Sequence, residues 1–186
     1  MKVRTALMVV DVQNALVEAG PDDVGGVLDR CAALLKAARD AGLPVAHVQH
    51  SDPVGEELEP GQPGWELAPP VRPMPGEPVF PKRFNSSFKD TGVEAWLDGQ
   101  GIETLVIAGM QTEYCIDATV KSAFEKGYHV VVPQGAHTTF ANGALTPAQL
   151  RDFYENRIWK GRYAAVESVE SLASAWKAAQ TPRTDF

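Results

Sequence analysis

Two uninterrupted apolar runs, TALMVV at residues 5–10 and TLVIAG at 104–109, constrain this chain more than anything else in it. A run without polar alternates has no solvent face, so each reads as a strand covered on both sides. Such strands are buried in a sheet lying between two layers of helix. The sequence supplies those helices. Leu28, Cys31, Leu34, Leu35 and Ala38 recur at helical spacing behind Asp22 and Asp23, either of which can cap the helix, and Gly42 stops it. A second strand spans 44–50. Residues 51–78 are rich in Pro, Gly and Glu and form a long irregular segment of the kind that builds lids and pocket walls.

The second half repeats the alternation. A short strand over 79–81 leads into Lys82, and a helix over 93–97 ends near Gly99. The strand at 104–108 is followed by a helix over 115–126, with Ile116, Val120 and Phe124 along one face. Another strand covers 128–132. Thr146, Pro147 and Gln149 make a capping box with proline at the first helical position. A short strand at 164–166 precedes a last helix, capped by Ser168 and running through Leu172 and Trp176. Strands alternating with helices predict an α/β fold of three layers, α-β-α. Its sheet is mainly parallel, with about six strands and helices on both faces. A length of 186 residues fits one domain over 1–186.

Charge and composition narrow the function. A net charge of −7 with no basic stripe argues against a nucleic-acid binder. No apolar stretch approaches the roughly 20 residues that span a bilayer. The opening MKVRTALMVVDVQ is too short in its apolar part for a signal peptide, and Asp11 interrupts it, so a cytoplasmic location is expected. Two cysteines, Cys31 and Cys115, make no disulfide framework, and Cys31 reads as core.

A parallel sheet carries its site beyond the carboxyl ends of its strands. Asp11 ends the first strand, His50 the second, Lys82 follows the third, and Gly109 ends the fourth with Cys115 close behind. Taken singly, Asp11 could cap a loop, Lys82 could be a solvated surface lysine, and Cys115 a small core residue. Together they suit a thiol nucleophile. A nearby ammonium lowers the thiol pKa, and a carboxylate can take the thiol proton and later return it. A cysteine at a helix start also gains free N–H groups able to bind an oxyanion.

Three stretches carry a resemblance: ALMVVDVQNAL at 6–16, FPKRFNSSF at 80–88, and LVIAGMQTEYCIDATVKSAFEKGYHVVVPQGAH at 105–137. In order and spacing the chain resembles the isochorismatase-like cysteine hydrolases, which include nicotinamidase, N-carbamoylsarcosine amidohydrolase and streptothricin hydrolase. The resemblance runs from the first strand almost to His137. It implies a catalytic triad of Asp11, Lys82 and Cys115. It also implies a cis, non-proline peptide between Met110 and Gln111, which would aim the Gln111 N–H at the same point as the Cys115 N–H to form an oxyanion hole.

Nicotinamidases of that family hold a metal through Asp and His just after the second strand. Here HVQHSD at 47–52 puts Gln49 and Ser51 at those positions. His47 and His50 point to opposite faces of a strand, and His50 with Asp52 gives too few ligands for zinc. The expectation is therefore no metal and no cofactor. Relatives often carry an acidic residue where this chain has Gly135. His129 reads as surface, and His137 could face the pocket rim.

The resulting expectation is an amidohydrolase cleaving a C–N bond of a small amide, lactam or carbamoyl compound through a thioester-type intermediate on Cys115. The substrate pocket would draw on Leu16, His50, Trp65, Phe84 and Tyr114, with Trp65 arriving from the same chain or a neighbouring subunit. The resemblance implies a homo-oligomer, a dimer or higher. Three alternatives remain: a vinyl-ether hydrolase of the isochorismatase type, which Cys115 disfavours; a catalytically silent binding subunit; and a Cys–His enzyme using His137.

Overall fold

A computed structural model describes residues 4–180. In chain order its strands are β1 (Thr5–Val10), β2 (Val45–His50), β3 (Val79–Lys82), β4 (Thr104–Met110), β5 (His129–Pro133), β6 (His137–Thr138) and β7 (Ala165–Glu167). They form one seven-stranded sheet in the order β3-β2-β1-β4-β5-β7, with β6 set beside β4. Every pairing in the sheet is parallel. The α-helices are α1 (Asn14–Glu18), α2 (Val24–Asp40), α3 (Val93–Gln100), α4 (Asp117–Glu125), α5 (Pro147–Phe153) and α6 (Val169–Gln180).

The pleat of β1 divides the core in two. Leu7 and Val9 pack with Cys31, Leu34 and Leu35 of α2 and with Leu172 and Trp176 of α6. Ala6, Met8 and Val10 face the other way, onto Val93 and Leu97 of α3, Val120 of α4, and Trp159. Each fully buried Leu or Val contributes about 1.5–3 kcal/mol. This two-sided burial is why the run 5–10 tolerates no polar residue until Asp11. The three layers and the parallel sheet match the sequence expectation.

Four local features differ from it. The seventh strand, β6, is two residues long and lies beside the end of β4, with Gly109 opposite His137. The helix expected over 115–126 begins instead as a π-helical turn over Thr112–Ile116, and α4 starts at Asp117. Ile116 and Val120 are buried as expected, but Ala123 takes the inward place expected of Phe124, which is 42% exposed. Phe124 meets Tyr163 edge-on, ring centres 5.3 Å apart. Asp23 stands at the N-cap of α2 but makes no capping bond with its side chain. Its carboxylate pairs with Arg30 instead. The capping box of Thr146 and Gln149 and the hydroxyl cap from Ser168 to Ser171 N–H are both present.

Candidate active site

The parallel strands bring their carboxyl ends to one edge, and three functional groups meet there. Asp11 follows β1 with a positive φ of 54°, a left-handed conformation that Asp and Asn tolerate better than most residues. Lys82 is the last residue of β3, paired in register with His50 of β2. Its side chain is wholly buried, and its Nζ lies 2.6 Å from Asp11 Oδ2. The same ammonium lies 3.2 Å from Cys115 Sγ and 3.2 Å from His50 Nδ1. An ammonium has three protons, and here three acceptors surround it.

Gly109 makes this convergence possible. It sits opposite Val10 in register, with φ 128°. A Cβ there would fall 2.0 Å from the Val10 carbonyl oxygen, so only glycine lets β4 approach β1 beside Asp11. The next peptide bond, Met110–Gln111, is cis. The Gln111 carbonyl then accepts from the N–H groups of Tyr114 and Ile116, at 3.2 and 3.1 Å, fixing the π-helical turn that carries Cys115.

The electrostatics differ from the sequence expectation of a lowered thiol pKa. Burial, and then the negative charge of Asp11, push the Cys115 thiol up to about 12 against the opposing pull of Lys82. Burial likewise raises Asp11, again opposed by Lys82. Burial thus keeps the thiol neutral at rest, beside the Asp11–Lys82 ion pair. Both carboxyl oxygens of Asp11 are buried, with Oδ2 against Lys82, and the carboxyl also meets the Cys115 thiol, where it can accept the thiol proton. Cys31 is fully buried and also pushed up to about 12 by burial, as befits a core thiol.

A cavity of about 280 Å³ opens over Asp11 and Cys115. Leu16, His50, Gln111 and Tyr114 line it. Asp52, Leu58 and Asn85 line it too, and sequence reasoning missed them as wall residues. Trp65 and Phe84 fall elsewhere: they border a neighbouring hollow of about 670 Å³, together with Lys82 and Arg83. Trp65 is strapped down. Its indole N–H donates to Ser51 Oγ at 3.1 Å, and its carbonyl accepts from Gln13 and Gln49 at 2.8 and 2.7 Å. Gln13, fully buried, also exchanges two hydrogen bonds with the His50 backbone. No local signal marks this role, because the partners lie 37 and 52 residues away.

These bonds also engage the two residues that stand at the family's metal-ligand positions. Gln49 and Ser51 are both committed to Trp65. His47 points away from the site, to Glu77 at 3.1 Å. Asp11, His50 and Cys115 do offer donor atoms within 4.8 Å of one another. The Lys82 ammonium lies within hydrogen-bonding distance of all three residues.

His137 is not at the pocket rim. It is fully buried, with Nδ1 2.9 Å from Thr112 Oγ1 and Nε2 2.9 Å from Glu155 Oε1. Both ring nitrogens are engaged beneath the turn that bears Cys115, which removes the geometric basis for a Cys–His pair. Glu155 also accepts from the Gly135 N–H at 2.8 Å. A carboxylate therefore serves the 135–137 turn from a distant helix rather than from position 135. His129 is exposed, as expected.

Comparison with known proteins agrees with this architecture. The family model described as the isochorismatase domain matches residues 5–155. A streptothricin hydrolase of Streptomyces noursei is 45% identical over 138 residues, 73% of this chain and 50% of that protein. The match thus spans about half the length of that relative. A ureidoacrylate amidohydrolase of Methylorubrum extorquens is 29% identical over 209 aligned positions, covering 92% of this chain and 84% of that protein. An isochorismatase family protein of Burkholderia thailandensis superposes with a TM-score of 0.81 at 26% identity, covering 95% of this chain and 97% of the other. Fold, strand-end site and sequence together make this chain a member of the isochorismatase family.

Proposed function

We propose that the chain is a cysteine-dependent amidohydrolase that cleaves a C–N bond of a small amide, lactam or carbamoyl compound. The observation that carries this reading is the Lys82 ammonium, held 2.6 Å from Asp11 and 3.2 Å from the Cys115 sulfur beneath a 280 Å³ cavity. The names of two relatives, a streptothricin hydrolase and a ureidoacrylate amidohydrolase, support the reaction class.

In this reading, Sγ attacks the carbonyl carbon as its proton passes to Asp11. The S–C bond forms, and the oxyanion lies against the N–H groups of Gln111 and Cys115. Asp11 returns the proton to the nitrogen, the C–N bond breaks, and the amine leaves. Asp11, again a carboxylate, then takes a proton from water, whose oxygen attacks the thioester. The S–C bond breaks, Asp11 returns its proton to the sulfur, and the acid leaves. A thiol that is neutral at rest suits this cycle, since attack and proton transfer to Asp11 proceed together. The proposal assigns these steps to one domain and to a small-molecule site, with the chain assembled as a homo-oligomer.

Cys115→Ala should abolish hydrolysis while leaving the fold intact. Ammonia release across primary amides and carbamoyl compounds, and chromatographic detection of ring opening across cyclic amides, identifies the substrate. Mass spectrometry of acid-quenched enzyme should then find an acyl group on Cys115. Activity above a few per cent of wild type in Cys115→Ala would refute the nucleophile.

A further inference from the structure

His50 lines the cavity, yet the cycle above gives it no proton to move. Its two ring nitrogens are nevertheless both placed. Nδ1 lies 3.2 Å from Lys82 Nζ, and Nε2 lies 3.2 Å from Asp52 Oδ1. A protonated lysine only donates, so Nδ1 must be the nitrogen without a proton. Nε2 then carries the proton, facing Asp52 Oδ1. The carboxylate beside Nε2 favours the tautomer that leaves Nδ1 open to Lys82.

We infer that His50 is the positioning residue for Lys82. Its Nδ1 takes the ammonium's third proton, and Asp52 fixes the ring in the tautomer able to do so. The inference rests on the triad reading above. The Lys82 side chain is wholly buried, so no water can satisfy a proton that its neighbours leave unpaired. With two acceptors the ammonium can rotate about its last bond and favour Asp11 over sulfur. With three, each proton has its own direction, and one is pinned on Sγ. The backbone of His50 is in turn held by the two hydrogen bonds from Gln13, which sets the imidazole at the right depth. The contact arises because His50 and Lys82 are register partners on β2 and β3.

Two amide side chains separate this role from a structural one. Asparagine can place its oxygen where Nδ1 stands, whereas glutamine reaches to the place of Nε2. Iodoacetamide alkylation of Cys115, read by mass spectrometry with buried Cys31 as the internal control, needs no known substrate. His50→Asn should react within about 3-fold of wild type, and His50→Gln roughly 10- to 100-fold more slowly. Equal rates in the two variants, or a faster Gln variant, would overturn the inference. A second readout needs no substitution: the imidazole ¹⁵N shifts of the wild-type chain should report His50 protonated at Nε2 alone at neutral pH, and a proton on Nδ1 would equally overturn it. Failure of the triad reading looks different, for then Cys115 in wild type would react no faster than Cys31.

Discussion

At the scale of single residues, the site depends on a balance between one cation and two potential anions. Burial and Asp11 hold the thiol up to about 12, and Lys82 pulls against them. Asp11→Asn isolates the like-charge part of that balance. Asparagine keeps the left-handed conformation and most of the volume, and removes the negative charge. The thiol pKa should fall, because burial is then opposed by Lys82 without the carboxylate's charge. Cys115 in Asp11→Asn should therefore be alkylated faster than wild type at neutral pH. Its hydrolytic rate should drop by roughly 100- to 10,000-fold, because no group remains to carry the proton. Alkylation and hydrolysis that decline together would show that Asp11 does not act as the base. Lys82 has a different constraint: its three acceptors, Asp11, Cys115 and His50, each lie within 3.2 Å, and a planar guanidinium cannot point donors at all three.

Among elements, the seam between β1 and β4 sets the geometry. Their pairing runs from Thr5 opposite Thr104 to Val10 opposite Gly109, and the last pair brings Asp11 beside the loop that leads to Cys115. A methyl group on Gly109 would meet the Val10 carbonyl oxygen at 2.0 Å and the Val10 carbonyl carbon at 2.8 Å, both of them backbone. Relief requires the strands to part at their catalytic ends. Gly109→Ala should cost at least about 3 kcal/mol, through a backbone clash added to a positive φ. A urea titration should show the loss, and residual folded protein should hydrolyse poorly. Near-wild-type stability would mean that the β1–β4 seam can open without consequence. The π-helical turn after β4 acts at the same scale: it turns Phe124 outward and leaves Ile116, Val120 and Ala123 facing the core.

Across the whole molecule, Glu77 ties the long 51–78 segment to both a helix and the sheet. Its carboxylate accepts two hydrogen bonds of 2.8 Å from Arg39 of α2, one of 2.8 Å from Met74 N–H, and lies 3.1 Å from His47 of β2. Burial alone would raise its pKa, but the bonds from Arg39, Met74 and His47 prevail and bring it down to about 2. A carboxyl lowered in the folded state adds stability that is fully present above its ordinary value of 4.5. That stability is lost as pH falls toward 2. Urea midpoints of wild type should therefore decline between pH 4.5 and 2 more steeply than those of Glu77→Gln. Parallel declines would show that Glu77 does not anchor the segment. The sequence by itself determined the layers and put Asp11, Lys82 and Cys115 forward as candidates. Each of the three closes or follows an apolar run whose period is local and whose end is fixed by the parallel sheet. Only the tertiary structure decided the rest. Gln13, Gln49 and Ser51 became a clamp on Trp65, His137 became a buried brace on Glu155, and Asp52, Leu58 and Asn85 became cavity wall. These roles come from hydrogen bonds and packing between residues far apart in the chain. The thiol's upward shift has the same origin, because it comes from burial among groups that three separate strand ends bring together.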